Sequence, residues 1–355
     1  MPARIFLAPL DWGLGHATRC VPVIRALQAC GAEVELGASG AGIAFLKQEF
    51  PELPLHILPE YGITYTTSGM SGWHLLLQTP RVMRVMSEEY RILNKLILQR
   101  GYSAVISDNR FGIRSDKIPS VCITHQLNLQ TPPGFGAAAS FNRRMLARFS
   151  EVWIPDVPGD SNLSGELSHK GKGVKIPQRF IGTLSRFTAA TEQSQQHILA
   201  LISGPEPQRT IFERLVVAQL KKLGEPAVLV RGLPGENQEA ITDKNITVFN
   251  HLATELLQLY MQNAKFIISR SGYSTLCDAA AVNCKVLAVP APGQTEQEYL
   301  ALHLSNQNRI VTQHQKEIDL AAAVTDLEKI EPLNVYSTEN LLQLAVDDLM
   351  AKIVQ

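Results

Sequence analysis

Two stretches carry most of the side chains able to do chemistry. Residues 266–298 read FIISRSGYSTLCDAAAVNCKVLAVPAPGQTEQE, and residues 4–31 read RIFLAPLDWGLGHATRCVPVIRALQACG. In the first, an apolar strand at 266–269 passes through Arg270, Ser271 and Gly272 into a helix at 274–282, then a strand at 286–289 and a Pro/Gly/Gln loop. A turn that leaves a strand's carboxyl end and opens a helix aims N–H groups and the positive end of the helix dipole at its occupant, which suits a phosphate. Ser271 adds a hydroxyl, Gly272 lets backbone approach closely, and Asp278, two turns further on, can accept from a sugar hydroxyl. This is the chemistry of a nucleotide site, though the same spacing also fits an ordinary α/β turn.

In the second stretch Gly13 and Gly15 fall in a strand-to-helix turn, and His16 stands at the helix start. A sugar hydroxyl becomes a competent nucleophile when a base takes its proton, and imidazole titrates near neutral pH. A plain polar group at a helix amino terminus is the alternative. The third glycine of a dinucleotide fingerprint is missing, and the only acidic residue near the next strand end is Glu35, so a dehydrogenase fits less well.

The remaining elements alternate in α/β fashion. A strand at 102–107 ends at Asp108, in the place where α/β sheets put ligand-binding groups, although a surface turn would read the same. Residues 120–124 form another strand. The second half opens with a strand at 197–202 and a turn at Ser203 and Gly204 leading into a helix to Leu223. Pro205 and Pro207 remove N–H donors from that turn, and Arg209 could supply the missing positive charge. Further strands are expected at 227–231 and 245–249. Residues 61–72 read as a loop, and 73–86 as a helix that covers the sheet or lies on a bilayer, with Pro80 interrupting its face. Gly, Ser, Lys and Asp crowd 155–175, which reads as a loop or linker. Ser337 is a candidate cap for a last helix whose apolar stripe is Leu342, Val346, Leu349, Met350 and Ile353.

The 355 residues suit two domains, and a formal net charge of zero gives no sign of a nucleic-acid partner. Residues 1–150 hold 15 Lys+Arg against 10 Asp+Glu, a modest basic bias compatible with an anionic acceptor or peripheral contact with the inner face of a membrane. Five cysteines without a C-x-x-C pair suggest free thiols, and no signal peptide or spanning segment is visible, so a soluble cytoplasmic protein is expected. No D-x-D triplet occurs, which fits chemistry without a metal.

The runs SRSGYSTLCDAAA and VPAPGQTEQEY resemble the donor-nucleotide signature of the MurG-like glycosyltransferases, the family 28 branch of the GT-B superfamily. The resemblance implies two Rossmann-like, doubly wound domains facing a cleft. The acceptor domain would span 1–185 and end in a linker at 156–185, the nucleotide-sugar domain would span 186–336, and the helix at 337–355 would pack back on the first. It also implies an inverting, metal-independent hexosyl transfer from a nucleotide sugar, UDP-linked, to a hydroxyl acceptor, lipid-linked or glycan, with no cofactor. LDWGLGHATR resembles the family's acceptor loop, which makes His16 the candidate base and places Gly13, Gly15 and Arg19 beside the acceptor, with Asp108 as the carboxylate that orients His16. His125-Gln-Leu-Asn128 resembles the family's H-E-Q-N acceptor loop, with Gln126 and Leu127 in place of the central pair, so His125 and Asn128 are acceptor candidates. By the same resemblance Phe249 and Asn250 meet the nucleotide base, and Gln294, Gln297 and Glu298 meet the donor sugar. Glu298 stands where a second glutamine is usual, which makes a donor other than N-acetylglucosamine plausible. The G-x-G-H-x-x-R run also resembles MurG-like nucleotide-sugar hydrolases. A catalytically silent nucleotide-binding subunit is the third possibility, and a 2-epimerase lacks the extra carboxylates it would want.

Overall fold

A computed structural model describes residues 2–63, 72–130, 136–169, 174–189, 194–234, 240–335 and 340–353, with backbone alone for 72–77. The chain forms two compact units, one of residues up to Leu184 together with the helix Leu341–Ile353, the other of Ser185–Val335.

The first unit is built on seven strands: β1 (Arg4–Pro9), β2 (Glu33–Ala38), β3 (Leu55–Ile57), β4 (Ala104–Asp108), β5 (Ser120–Ile123), β6 (Glu151–Ile154) and β7 (Gln178–Phe180). They pair in parallel in the order β3-β2-β1-β4-β5-β6-β7. Both faces of this sheet are covered, which is why β1 reads as an unbroken apolar run. Ile5 and Leu7 enter a core with Val21, Ile24 and Leu27 of the helix Gly15–Ala29, while Phe6 and Ala8 pack on the other face with Leu93 and Tyr102. Gly37 of β2 permits this packing, since a Cβ there would stand 2.5 Å from Cζ of Phe6. Val346 and Leu349 of the helix Leu341–Ile353 join the first core, with Leu342, Met350 and Ile353 packed against it. Ser337 lies outside the described residues.

The second unit holds β8 (His197–Leu201), β9 (Ala227–Val230), β10 (Ile241–Asp243), β11 (Ile246–Phe249), β12 (Ala264–Ser269), β13 (Val286–Ala288) and β14 (Val311–Thr312), in the order β10-β11-β9-β8-β12-β13-β14. Only the β10–β11 hairpin is antiparallel. Ile198, Ala200, Phe266 and Ile268 meet Phe212, Val216 and Leu220 of the helix Gln208–Leu223 in one core.

In both sheets the order runs outward in opposite directions from a central pair, β1 and β4 in one unit, β8 and β12 in the other. At such a switch point the following connections leave to opposite sides and open a crevice at the strand carboxyl ends. Gly13, Gly15 and His16 follow β1 and Asp108 ends β4, while Ser203 and Gly204 follow β8 and Arg270, Ser271 and Gly272 follow β12. Both candidate sites therefore sit where this topology makes room for a ligand.

Two expectations change. Pro80 does not break its helix, which runs continuously over Gly72–Arg100. An interior proline costs roughly 3 kcal/mol, and the burial of Val85, Met86, Glu89 and Leu93 downstream holds the helix against it. The segment read as a linker from 156 is instead largely packed. Asp156 is fully buried and accepts from the amides of Val157, Leu163 and Ser164, followed by the short helix Glu166–His169 and by β7. Its polar composition reflects side chains satisfied by local backbone.

Candidate active site

Four side chains converge at the β1/β4 switch point. His16, second residue of its helix, places Nδ1 2.9 Å from Oδ1 of Asp108. Arg19, one turn further, lays its guanidinium along the same carboxylate, Nε donating to Oδ2 at 2.5 Å and Nη2 to Oδ1. The other arm, Nη1, lies 3.1 Å from Nδ1 of His125, and Cys20 Sγ is 3.6 Å from Oδ2. The spacing i, i+3, i+4 on one helix face explains why 16, 19 and 20 reach one carboxylate.

Asp108 is fully buried, yet Arg19 and His16 hold its carboxyl well below the usual carboxylate range against the cost of burial. Burial lowers the proton affinity of His16, Asp108 opposes that, and Arg19 adds to it. The imidazole is therefore neutral at neutral pH. Its Nδ1 meets Oδ1 of Asp108 and, at 3.0 Å, Nη2 of Arg19, which leaves Nε2 as the ring nitrogen outside this cluster. His16 keeps 17 % of its side chain exposed, whereas Arg19 is 3 % and His125 2 % exposed. Arg19 and His125 thus lie behind His16 rather than at an acceptor surface, a correction to their expected place. Asn128 is also otherwise engaged: its amide donates to Leu167 O and its side chain to Glu166 O. Gly13 adopts φ +84°, the left-handed turn that delivers His16, and Gly15 is the first helical residue, its carbonyl accepting from Thr18.

A second buried network beside it escaped the sequence reading. Arg110, fully buried, donates to Pro9 O at 2.7 Å, to Glu89 at 2.5 Å and to Ser39, while Tyr61 donates to Glu89 at 2.7 Å. Asp11 accepts from Ser39 at 2.9 Å and from the amide of Tyr61 at 3.0 Å. These bonds fasten the carboxyl ends of β1, β2 and β4 to the helix Gly72–Arg100. Burial pushes the Glu89 carboxyl up to about 7 despite Arg110. The D-N-R run after β4 was the available signal, since an arginine in a strand-end loop can turn inward as readily as out.

At the β8/β12 switch point the helix Tyr273–Ala281 begins after Gly272, which supplies no side-chain cap. A Cβ added to Gly272 would meet nothing within 4 Å, and its φ of −71° is open to any residue. Ser271 donates its hydroxyl to Gln297 O, and the Gln297 carboxamide accepts from Ala291 N, which ties the turn after β12 to the loop after β13. Glu298 accepts from Gly293 N at 2.8 Å and is exposed, while the carboxamide of Gln294 and the hydroxyl of Ser203 have no hydrogen-bond partner among the described residues. Gly204 adopts φ +107°. Phe249 ends β11, and the Asn250 carboxamide accepts from Arg231 while its carbonyl accepts from Leu233 N. Asp278 accepts from Ser185 at 2.6 Å, and burial raises its carboxyl to about 6 against the pull of Arg186.

Two expected phosphate cations are placed otherwise. Arg209 is neutralised by Glu206 and Glu213, at 2.6 and 2.8 Å. Arg270 turns inward, donating to the carbonyls of Val289, Pro290 and Gln208 and to Gln315, with its guanidinium over the Phe212 ring. Its charge faces no carboxylate within ion-pair distance among the described residues, and burial lowers its proton affinity to about 9. It braces the loops around the turn and does not reach out of it.

Residues 212–350 match the model of the glycosyltransferase family 28 C-terminal domain. An uncharacterized glycosyltransferase of Methanosarcina mazei is 22 % identical over 308 residues, covering 81 % of this chain and 79 % of its own length. The structure of the spinosyn rhamnosyltransferase SpnG with thymidine diphosphate aligns with a TM-score of 0.63 at 17 % identity, covering 99 % of this chain and 96 % of that one. That of Acinetobacter baumannii MurG aligns with a TM-score of 0.54 at 14 % identity, over 100 % and 99 %. The two mainly parallel sheets thus share the fold of solved glycosyltransferases, MurG among them, and residues 212–350 are similar to the family 28 glycosyltransferase C-terminal domain.

Proposed function

We propose that the protein transfers a sugar from a nucleotide sugar, UDP-linked, to a hydroxyl acceptor, with inversion at the anomeric carbon and without a metal ion. The observation that carries this is the 2.9 Å contact between His16 and a buried, ionised Asp108 at the β1/β4 switch point. Nε2 of His16 takes the acceptor proton as the acceptor oxygen attacks the anomeric carbon, and the bond to the diphosphate oxygen breaks on the opposite face. Asp108 orients the ring and stabilises the imidazolium that forms. The start of the helix Tyr273–Ala281, where Gly272 has no side chain and leaves open space, suits the diphosphate that departs. Gln294, with an unengaged carboxamide, and Glu298 suit the hydroxyls of the donor sugar.

A panel of UDP- and TDP-sugars, each with and without lipid-linked and soluble hydroxyl acceptors, tests this by nucleotide release and product mass. Acceptor-dependent release with a glycosylated product is expected. Free sugar formed at the same rate without acceptor would identify a hydrolase, and binding without release a silent subunit.

A further inference from the structure

Arg270 is 1 % exposed, and every described group to which it donates is neutral. Nη1 donates to the carbonyls of Val289 and Pro290 at 3.2 Å, and Nη2 to the carbonyl of Gln208 at 3.1 Å and to Oε1 of Gln315 at 2.6 Å. Its Cζ lies 4.1 Å from the centre of the Phe212 ring, and Nε meets no acceptor among the described residues. Carbonyl dipoles orient a cation without neutralising it, and a buried ion without a counter-ion is costly. The carboxylates on the neighbouring loops are engaged elsewhere, Glu206 and Glu213 by Arg209 and Glu298 by the amide of Gly293. Burial lowers the proton affinity of Arg270 to about 9 with no carboxylate opposing it, so the side chain is charged at neutral pH.

Two further positive sources share the β8/β12 switch point. Gln208 is the first residue of the helix Gln208–Leu223, and Arg270 stands three residues before the helix Tyr273–Ala281, so the positive ends of both helix dipoles lie there with the guanidinium. That field disfavours a cation, and burial keeps it from being screened by salt. We infer that the charge of Arg270 is reserved for the donor: it sets a positive potential in the β8/β12 crevice from inside the fold, and the diphosphate of the nucleotide sugar is its counter-ion, reached through space and not by contact. The inference rests on the reading of the turn after β12 as the diphosphate site and adds what makes that turn select an anion. Charge that grows on the departing diphosphate meets the same field. A brace alone needs the four hydrogen bonds and has no use for the charge.

Gln315→Glu separates charge from brace. Its carboxylate replaces the carboxamide oxygen that already accepts from Nη2, so the guanidinium keeps its partners and is neutralised in place, and only the donation of Gln315 Nε2 to Gln208 Oε1 at 3.2 Å is given up. Affinities of the full chain for UDP, inorganic pyrophosphate and uridine are read by calorimetry and NMR titration, with thermal unfolding as the check on the fold. UDP and pyrophosphate should each bind about tenfold or more weakly while uridine stays within about twofold. Thermal stability should hold or rise, because a buried cation has gained its counter-ion. Arg270→Lys keeps the charge and gives up most of the contacts, so it should bind UDP at least about threefold more tightly than Arg270→Gln. A folded Gln315→Glu protein with wild-type affinity for UDP, or with uridine weakened as much as UDP, would overturn the inference and leave the donor turn in place. Equal losses in Arg270→Lys and Arg270→Gln would overturn it in the same way. Wild-type protein that binds neither UDP nor pyrophosphate would overturn it together with the donor-site reading on which it rests.

Discussion

A histidine serves as a base only while it is neutral and only through the nitrogen that faces the substrate, and the surroundings of His16 set both conditions. Burial and Arg19 lower its proton affinity more than Asp108 raises it, so the acid limb of kcat against pH should fall below the ordinary imidazole value of about 6.5. A limb at or above that value would place the titrating group elsewhere. Asp108→Asn keeps the shape of the side chain but presents an amide to Arg19 and His16. It should cut kcat by roughly 10²–10⁴ and, because Arg19 is left buried without its carboxylate, cost about 3 kcal/mol of stability in urea unfolding at pH 7. The folded-state carboxyl is held below its unfolded value of about 3.9, so the stabilisation is complete above that pH and lost as pH falls through the lower folded value. The stability gap between wild type and Asp108→Asn should therefore shrink in acid. The place of His16 at a helix start was legible in the sequence, because an apolar strand, two glycines and an apolar helix pattern follow one another there. The inward course of Arg19 was not, since its partner Asp108 lies 89 residues away and only strand pairing brings them together.

At the scale of elements, each site depends on a turn whose geometry the backbone sets and on a brace that keeps it there. The turn after β12 tests the donor site cleanly. Gly272→Ala introduces a methyl group into open space at an ordinary φ, so thermal stability should be unchanged while nucleoside diphosphate affinity, read by calorimetry, weakens about tenfold or more, the equivalent of about 1.4 kcal/mol. Unchanged affinity would move the diphosphate away from this helix start. The brace on the other site is the buried pair of Arg110 and Glu89, and Glu89→Ala removes one charged partner of a guanidinium that keeps Pro9 O, Ser39 and Asp11, which should cost about 1.5–3 kcal/mol in denaturant unfolding. Alternating and continuous apolar runs made most strands readable. Short edge strands such as β3, β7 and β14 were not, because two or three residues carry no period and their pairing partners define them. Pro80 misled for a similar reason: local propensity argued for a break, and burial further along the helix outweighed it.

At the scale of the whole molecule, the chain returns to its first unit at its end. The helix Leu341–Ile353 packs Ala345, Val346 and Leu349 into the core formed by β1 and the helix Gly15–Ala29, and Cys30 Sγ approaches Asp347 at 3.3 Å. The helix that carries His16 is thus supported from behind by residues more than 300 positions away. Leu349→Ala should destabilise the protein by about 2–5 kcal/mol in chemical unfolding while leaving nucleoside diphosphate affinity intact, since the residues proposed to bind the donor belong to the other unit. The apolar stripe of this helix could be read from the sequence, and its destination only through the likeness to a known fold. Donor and acceptor identity were not legible, because the carboxylate of Glu298 and the departures at Gln126 and Leu127 say what differs from relatives and not what replaces it.

The most direct test of the account compares wild type with His16→Ala for acceptor-dependent release of nucleoside diphosphate at saturating donor, with donor affinity measured in parallel. Turnover should fall by roughly 10²–10⁴ while the affinity for donor stays within about twofold. Undiminished turnover in His16→Ala would contradict the assignment of the base and the mechanism built on it.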